Sequence, residues 1–301
     1  MSHKMLLIDT QVLVGPYRQE MYTPQQLRDL QARHSKYFDM RFLAVPSHPN
    51  LNSGMPALVE RNRDVYAGAY LQVVPQDVNM QNGNLVAKAT TPTSIEGLAL
   101  DKRIVGLKYV PSLVRVPLDD ERFLRYANIA ATNEIPFLIH AESGEKNEFT
   151  SHAQKEKLHE EFPSLKIIWA HMTGLDESKV VEGLELVSRL SGAYTNTTGA
   201  SGEQRRTSKT DFTSDTNVVL DNNLRSIMEY LIFQAMKNKE LHRKVLFGSD
   251  YPYLKNYPAS LAAAKHLSES ERELLFHRNA IELFGLHDLE VSSRKNTAGH
   301  R

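Results

Sequence analysis

Cysteine is absent from this chain of 301 residues. That removes disulfides, thiolate metal ligands and cysteine nucleophiles from consideration together. Net charge is absent as well. Thirty-six basic residues balance thirty-six acidic ones, so no overall field favours nucleic acid or an anionic membrane. A local basic pocket for a small acidic substrate is the electrostatic option that stays open. Long apolar runs are missing too: residues 5–8 (MLLI) are cut short by Asp9, and no later stretch reaches spanning length. A glycine-rich phosphate turn after the first apolar run is not found either, which speaks against an open dinucleotide-binding sheet. Together these absences predict a soluble, cytoplasmic protein with neither nucleic acid nor membrane as partner.

What is present is alternation. Short apolar runs predict strands at 5–9, 40–45, 66–73, 104–109, 136–140, 166–170, 193–196 and 244–248. Helical patterns lie between and after them, near 24–36, 56–63, 93–101, 119–132, 151–161, 175–190, 221–239 and 257–267. Strict alternation requires parallel strands, because each crossover needs a covering helix. Eight such units predict closure into one α/β domain, a (β/α)8 TIM barrel over residues 1–286, followed by a flexible tail, 287–301. Some boundaries have mechanisms: Thr23 caps a helix that has Pro24 at its first position, Asp119 and Asp120 open the fourth helix, and Phe162-Pro163 ends the fifth. Residues 74–92 and the polar stretch 199–218 read as loops on the face where strands end; the second is either a lid or a disordered insert.

In a parallel barrel, polar residues just beyond the apolar strands converge at one mouth. Here these are Lys108 on the fourth strand, His140 and Glu142 after the fifth, His171 after the sixth and Asp250 after the eighth. A lone histidine in such a place is usually a packing or hydrogen-bonding residue. Two histidines and an aspartate from three different strands can instead hold zinc, manganese or iron, or do acid–base work without a metal. Lys108, Glu142, Gln11, and His48 within Ser47-His48-Pro49, are candidate substrate contacts. Lys108 has a bland alternative, an apolar stem with a solvated head, and Arg205-Arg206 reads as a solvated pair rather than an anion clamp. His34, His152, His159, His242 and His266 fall in helical patterns and are predicted at the surface.

The strings GLKYVPS (106–112), PFLIHAES (136–143), LKIIWAHMTG (165–174), YTNTTG (194–199), VLFGSDYP (245–252) and NAIELFGL (279–286) stand in an order and spacing that resemble the amidohydrolase superfamily. The resemblance is to the branch related to aminocarboxymuconate semialdehyde decarboxylase and to metal-independent pyrone dicarboxylate lactonase. Such chains usually begin with Asp-x-His-x-His; here the run is Asp9-Thr10-Gln11-Val12-Leu13, with both histidines replaced. The resemblance therefore implies two alternatives. In one, a single divalent ion, zinc by preference, sits on His140 and His171 with carbamylated Lys108 or Glu142, and Asp250 is the base. In the other no cofactor is used: Asp250 activates water while His140, His171 and Lys108 stabilise negative charge. The expected activity is hydrolysis of a small lactone, ester or amide. A decarboxylase and a non-catalytic ligand-binding barrel are the alternatives, and the resemblance also suggests a homodimer.

Overall fold

The computed structural model describes residues 4–17, 20–79, 86–141, 148–173, 177–198, 227–251 and 258–289. Its eight main strands are β1 (Met5–Tyr17), β2 (Phe38–Pro46), β3 (Tyr66–Gln72), β4 (Ile104–Tyr109), β5 (Phe137–Ile139), β6 (Ile167–Trp169), β7 (Ala193–Asn196) and β8 (Val245–Leu246). Each pairs in parallel with the next, from β1 through to β8. The ring closes between its ends: Thr10 N–H donates to Phe247 O at 3.0 Å, Asp250 N–H to Gln11 O at 3.1 Å and Leu13 N–H to Tyr251 O at 2.9 Å, and Val12 bridges Tyr251 in parallel. The fold is thus the TIM barrel that the alternation predicts.

The helices follow the same order: α1 (Pro24–His34), α2 (Met55–Arg61), α3 (Pro92–Ala99), α4 (Glu121–Thr132), α5 (His152–Glu161), α6 (Glu177–Arg189), α7 (Ile227–Lys237) and α8 (Pro258–Ala264). The caps form as their chemistry demands. Thr23 N–H donates to Gln26 Oε1 at 2.8 Å ahead of Pro24, and Asp120 accepts from the Arg122 N–H at 2.9 Å, satisfying amides that the helix itself cannot. Phe162 is the residue beyond α5, where Pro163 forbids helical geometry.

The strands read as near-continuous apolar runs because both of their faces are buried. One face, including Leu7, Phe42, Leu71, Leu107, Phe137 and Trp169, packs under the helices. The other, including Leu6, Ile8, Leu43, Val45, Tyr70, Leu138, Ile168 and Leu246, fills the barrel interior. Ala280, Ile281 and Leu283 join that interior set, and Phe284 meets Tyr70 edge-on at 6.0 Å. They belong to a terminal helical run, Glu269–Glu273, Leu274–Arg278 and Asn279–Phe284, which ends at Gly285 with φ 67°. Asn279 Nδ2 ties this run to β8, donating to Val245 O at 2.8 Å.

Several expectations need correction. The first strand does not stop at residue 9 but continues to Tyr17 and turns back through Glu20–Tyr22. The loop 74–92 carries a small hairpin, Val78–Asn79 against Val86–Ala87. The terminal helices beyond residue 267 were not anticipated. His159 is not at the surface: it is buried against Trp169, ring centroids 6.0 Å apart. Residues 199–218, Glu142, Arg205-Arg206 and most of the tail (290–301) lie outside the described residues. Among the described residues no helix is long and apolar enough to cross a membrane.

Candidate active site

The mouth of the barrel is organised by an irregularity in β1. Asp9 pairs with Phe42 and Val12 with Ala44, so the two residues Thr10 and Gln11 stand opposite Leu43 alone. This bulge reverses the alternation. Before it, Leu6 and Ile8 face the interior and Leu7 the helices; after it, Leu13 packs on the interior set while Val12 and Val14 face the helices. Asp9, at the bulge, is fully buried. It accepts the Ser249 hydroxyl, the Ser249 N–H at 2.9 Å and the Gln11 N–H at 3.2 Å. Burial nevertheless pushes its carboxyl up to about 7, against the lowering effect of those hydrogen bonds.

From Gln11 a single hydrogen-bonded chain crosses the mouth. Gln11 Nε2 donates to Asp250 Oδ1 at 2.6 Å, and Gln11 Oε1 accepts from Asn196 Nδ2 at 3.1 Å. Asn196 Oδ1 accepts the Thr198 hydroxyl at 2.6 Å and the His171 backbone N–H at 3.2 Å. Thr198 Oγ1 faces His171 Nδ1 at 3.1 Å, and His171 Nε2 meets His140 Nδ1 at 2.7 Å. The two rings are nearly perpendicular, 76° apart with centroids at 4.4 Å.

The direction of every bond in this chain follows from its ends. A carboxylate only accepts, so Gln11 must turn its NH2 to Asp250 and its oxygen to Asn196. A backbone N–H only donates, which independently places the Asn196 oxygen toward His171. The Thr198 proton is then committed to Asn196, and Thr198 Oγ1 must accept from His171 Nδ1–H. Burial holds His171 neutral by lowering its pKa to about 4, an effect that the Asp250 charge opposes and the Lys108 charge reinforces. With its proton on Nδ1, His171 offers Nε2 as the acceptor for His140 Nδ1–H. In the neutral ring, the lone pair of His140 is then on Nε2. These protonation states are assigned from the network.

The segment that presents His171 is conformationally costly. His171, Met172 and Thr173 have φ of 61°, 53° and 76°, a left-handed run without a glycine. Such residues cost ~1–2 kcal/mol each, so the run must be held by its surroundings. Asp250 is also left-handed, φ 56°, as Asp tolerates better than most side chains. Gly248 lets strands meet closely beneath it: a Cβ there would lie 2.7 Å from Thr198 Cγ2 and 3.2 Å from Thr10 Oγ1.

The structure brings Asp250, Gln11, His171 and His140 into one network, with Lys108 buried on β4 near enough to influence His171. His48 is engaged locally, its Nδ1 accepting the Asn50 N–H at 3.1 Å as a cap on Pro49–Gly54. Sequence reasoning did not single out Asn196 and Thr198. They satisfy the criterion that found His171, polar residues where an apolar strand ends, and were available on that ground.

Of the ligands expected for a divalent ion, His140 and His171 are brought together, while Glu142 lies outside the described residues. Leu13 has no donor atom, and the Gln11 amide is engaged at both ends. Lys108 brings an ammonium. No three His, Asp or Glu side chains among the described residues are grouped closely enough to hold an ion.

A family model described as amidohydrolase matches residues 22–286. Solved structures similar to this one include a probable 2-pyrone-4,6-dicarboxylic acid hydrolase from Acinetobacter baumannii with citric acid bound, at 17% identity and TM-score 0.63, covering 93% of this chain and 99% of that one. An amidohydrolase from Burkholderia multivorans with bound zinc matches at 14% identity and TM-score 0.64, with the same coverages. A 5-carboxyvanillate decarboxylase from Sphingomonas paucimobilis matches at 14% and 0.58, again over 93% and 99%. No protein of curated function matches the sequence.

Proposed function

Because the chain belongs to the amidohydrolase family, we propose that it hydrolyses a small lactone, ester or amide at the mouth of the barrel, with Asp250 as general base and no metal ion. The observation that carries this reading is the chain of directed hydrogen bonds from Asp250 to His140. It sets the Asp250 carboxylate at one end and the His140 ring at the other, with the polarity of each bond between them fixed. A water held by the Asp250 carboxylate has one proton aimed at a base and a lone pair turned toward the substrate carbonyl.

The steps balance as follows. Asp250 takes a proton from water as its oxygen bonds to the carbonyl carbon. The Lys108 ammonium, buried on β4, stabilises the oxyanion. The tetrahedral intermediate collapses with loss of the C–O or C–N bond, and the Asp250 carboxyl returns the proton to the leaving atom. In this scheme His140 does not neutralise charge through Nδ1, since that N–H is already given to His171. A lactone or reactive ester suits such a site best, being easier to open without a Lewis acid than an unactivated amide. An acidic substrate suits the buried lysine, as in the named pyrone dicarboxylic acid hydrolase that shares the fold.

The test is product analysis with carboxylated lactones and their amide analogues, using protein purified without added metal and assayed by elemental analysis and chelation. Ring-opened acid is the expected product, and Asp250→Asn should abolish its formation while the fold persists. Released carbon dioxide would identify a decarboxylase instead. Stoichiometric metal that tracks activity, or a fully active Asp250→Asn variant, would refute the mechanism.

A further inference from the structure

Lys155, on α5, takes no part in the scheme above, yet it is buried, at 1% exposure. Lysine is almost never found so deep unless something holds its ammonium. Here Nζ lies 5.4 Å from the centre of the Trp169 ring and donates to the Thr173 carbonyl at 3.0 Å. Trp169 ends β6, and Thr173 closes the left-handed run that follows. His171 stands between these two contacts.

The same run is gripped from α6. Gly183 has no side chain to interfere, and a Cβ there would come within 1.6 Å of Thr173 Oγ1 and 2.3 Å of Thr173 Cβ. One helix therefore holds Thr173 by a donated hydrogen bond, while the other seats it by the absence of a side chain. Beyond these, Thr173 N–H returns to Ala170 O at 3.2 Å, which closes the turn but leaves its handedness to the surroundings.

We propose that Lys155 is a positioning residue for His171. Its bond to the Thr173 carbonyl keeps residues 171–173 left-handed, and that conformation delivers His171 Nε2 to His140 and Nδ1 to Thr198. The catalytic consequence rests on the function proposed above, whereas the structural effect does not. A mere core-filling role would make no distinction between residue types at 173. A role through backbone conformation does, because glycine adopts a positive φ without the steric cost that threonine meets.

The experiment uses the full chain labelled with 15N-histidine, with the His171 ring assigned through His171→Asn. Lys155→Met keeps the length of the side chain and removes the ammonium. The expected result is loss of the Nδ1–H, Nε2-acceptor pattern of His171, and a fall in kcat of about 100-fold with KM little changed, as for a displacement near 1 Å. The double variant Lys155→Met/Thr173→Gly should regain the wild-type ring pattern. Unaltered His171 signals in Lys155→Met would overturn the proposal. So would a double variant that fails to regain the pattern or fails to fold. Should Lys155→Met itself not fold, the double variant decides alone, by the same criterion. Recovery of the ring pattern in a protein that hydrolyses none of the lactones would uphold positioning and count against the proposed function instead.

Discussion

Thr198→Val is the most discriminating perturbation of the network. Valine is close to threonine in shape, so packing against the Gly248 backbone is retained and only the hydroxyl is lost. The Asn196 oxygen still accepts the His171 backbone N–H at 3.2 Å, which preserves the orientation of Asn196, Gln11 and Asp250. The backbone N–H loses its second acceptor, Thr198 Oγ1 at 3.2 Å, but keeps Asn196, so the main loss falls on His171 Nδ1–H, a buried donor whose partner at 3.1 Å is gone. An orphaned buried donor costs ~1–3 kcal/mol, and an orphaned acceptor is better tolerated. The proton should therefore move to His171 Nε2, which reverses the bond to His140 Nδ1 and places the His140 proton on Nε2. A bias of 1.4 kcal/mol is about tenfold in the tautomer ratio, so both rings should change form visibly. Two-bond 1H–15N correlation spectra of labelled protein would read the tautomers, and urea denaturation the stability, expected to fall by ~1–3 kcal/mol. Hydrolysis should slow, since reversal of the His171–His140 bond changes the polarity of the ring at the mouth. Unchanged tautomers together with unchanged stability would show that the polarity derived for the network is wrong.

Other perturbations test separate parts of the structure. Gln11→Leu removes the bonds to Asp250 and Asn196 at once and should lower kcat by about 100-fold through misplacement of the carboxylate, with KM as the internal control. Gly248→Ala drives a Cβ to 2.7 Å from Thr198 Cγ2 and should cost ~1–3 kcal/mol by overpacking; adding Thr198→Ser, which lacks that methyl, should recover most of it in the same melts. Stability should also depend on pH in opposed ways. His159 and His171 both have pKa values lowered to about 4 by burial. The unfolded chain then binds more protons between pH 6.5 and 4, and stability is lost as pH falls through that window. Asp9, raised to about 7, binds its proton more tightly when folded, so its contribution declines as pH rises from about 4 to 7 and is level above. His159→Phe should flatten the acidic limb by about one proton, and Asp9→Asn should remove the decline toward neutrality, both measured as the slope of unfolding free energy against pH.

The regular part of the architecture was legible in the order of residues because parallel strands buried on two faces must be apolar, and crossovers must be helical. Lys108, His140, His171 and Asp250 were found by position alone, each at the end of such a strand. The unread features are those set by contacts remote in sequence. The terminal helices carry ordinary amphipathic patterns, and only their packing against the interior set made Ile281 and Leu283 core residues and set Phe284, half-buried, against Tyr70. His159 lies in a pattern that looks solvated, but its helix sits against Trp169.

By itself, then, the sequence determined that this chain alternates strand and helix, that it has no thiol chemistry, and that its first strand lacks histidines at 11 and 13. Only the tertiary structure decided what occupies their place. The bulge at Thr10-Gln11 and the closure of β1 on β8 set a glutamine amide between Asp250 and Asn196, partners 239 and 185 residues away. Hydrogen-bond direction depends on which groups meet, and that meeting is fixed by the closure of the barrel rather than by any local preference of the chain.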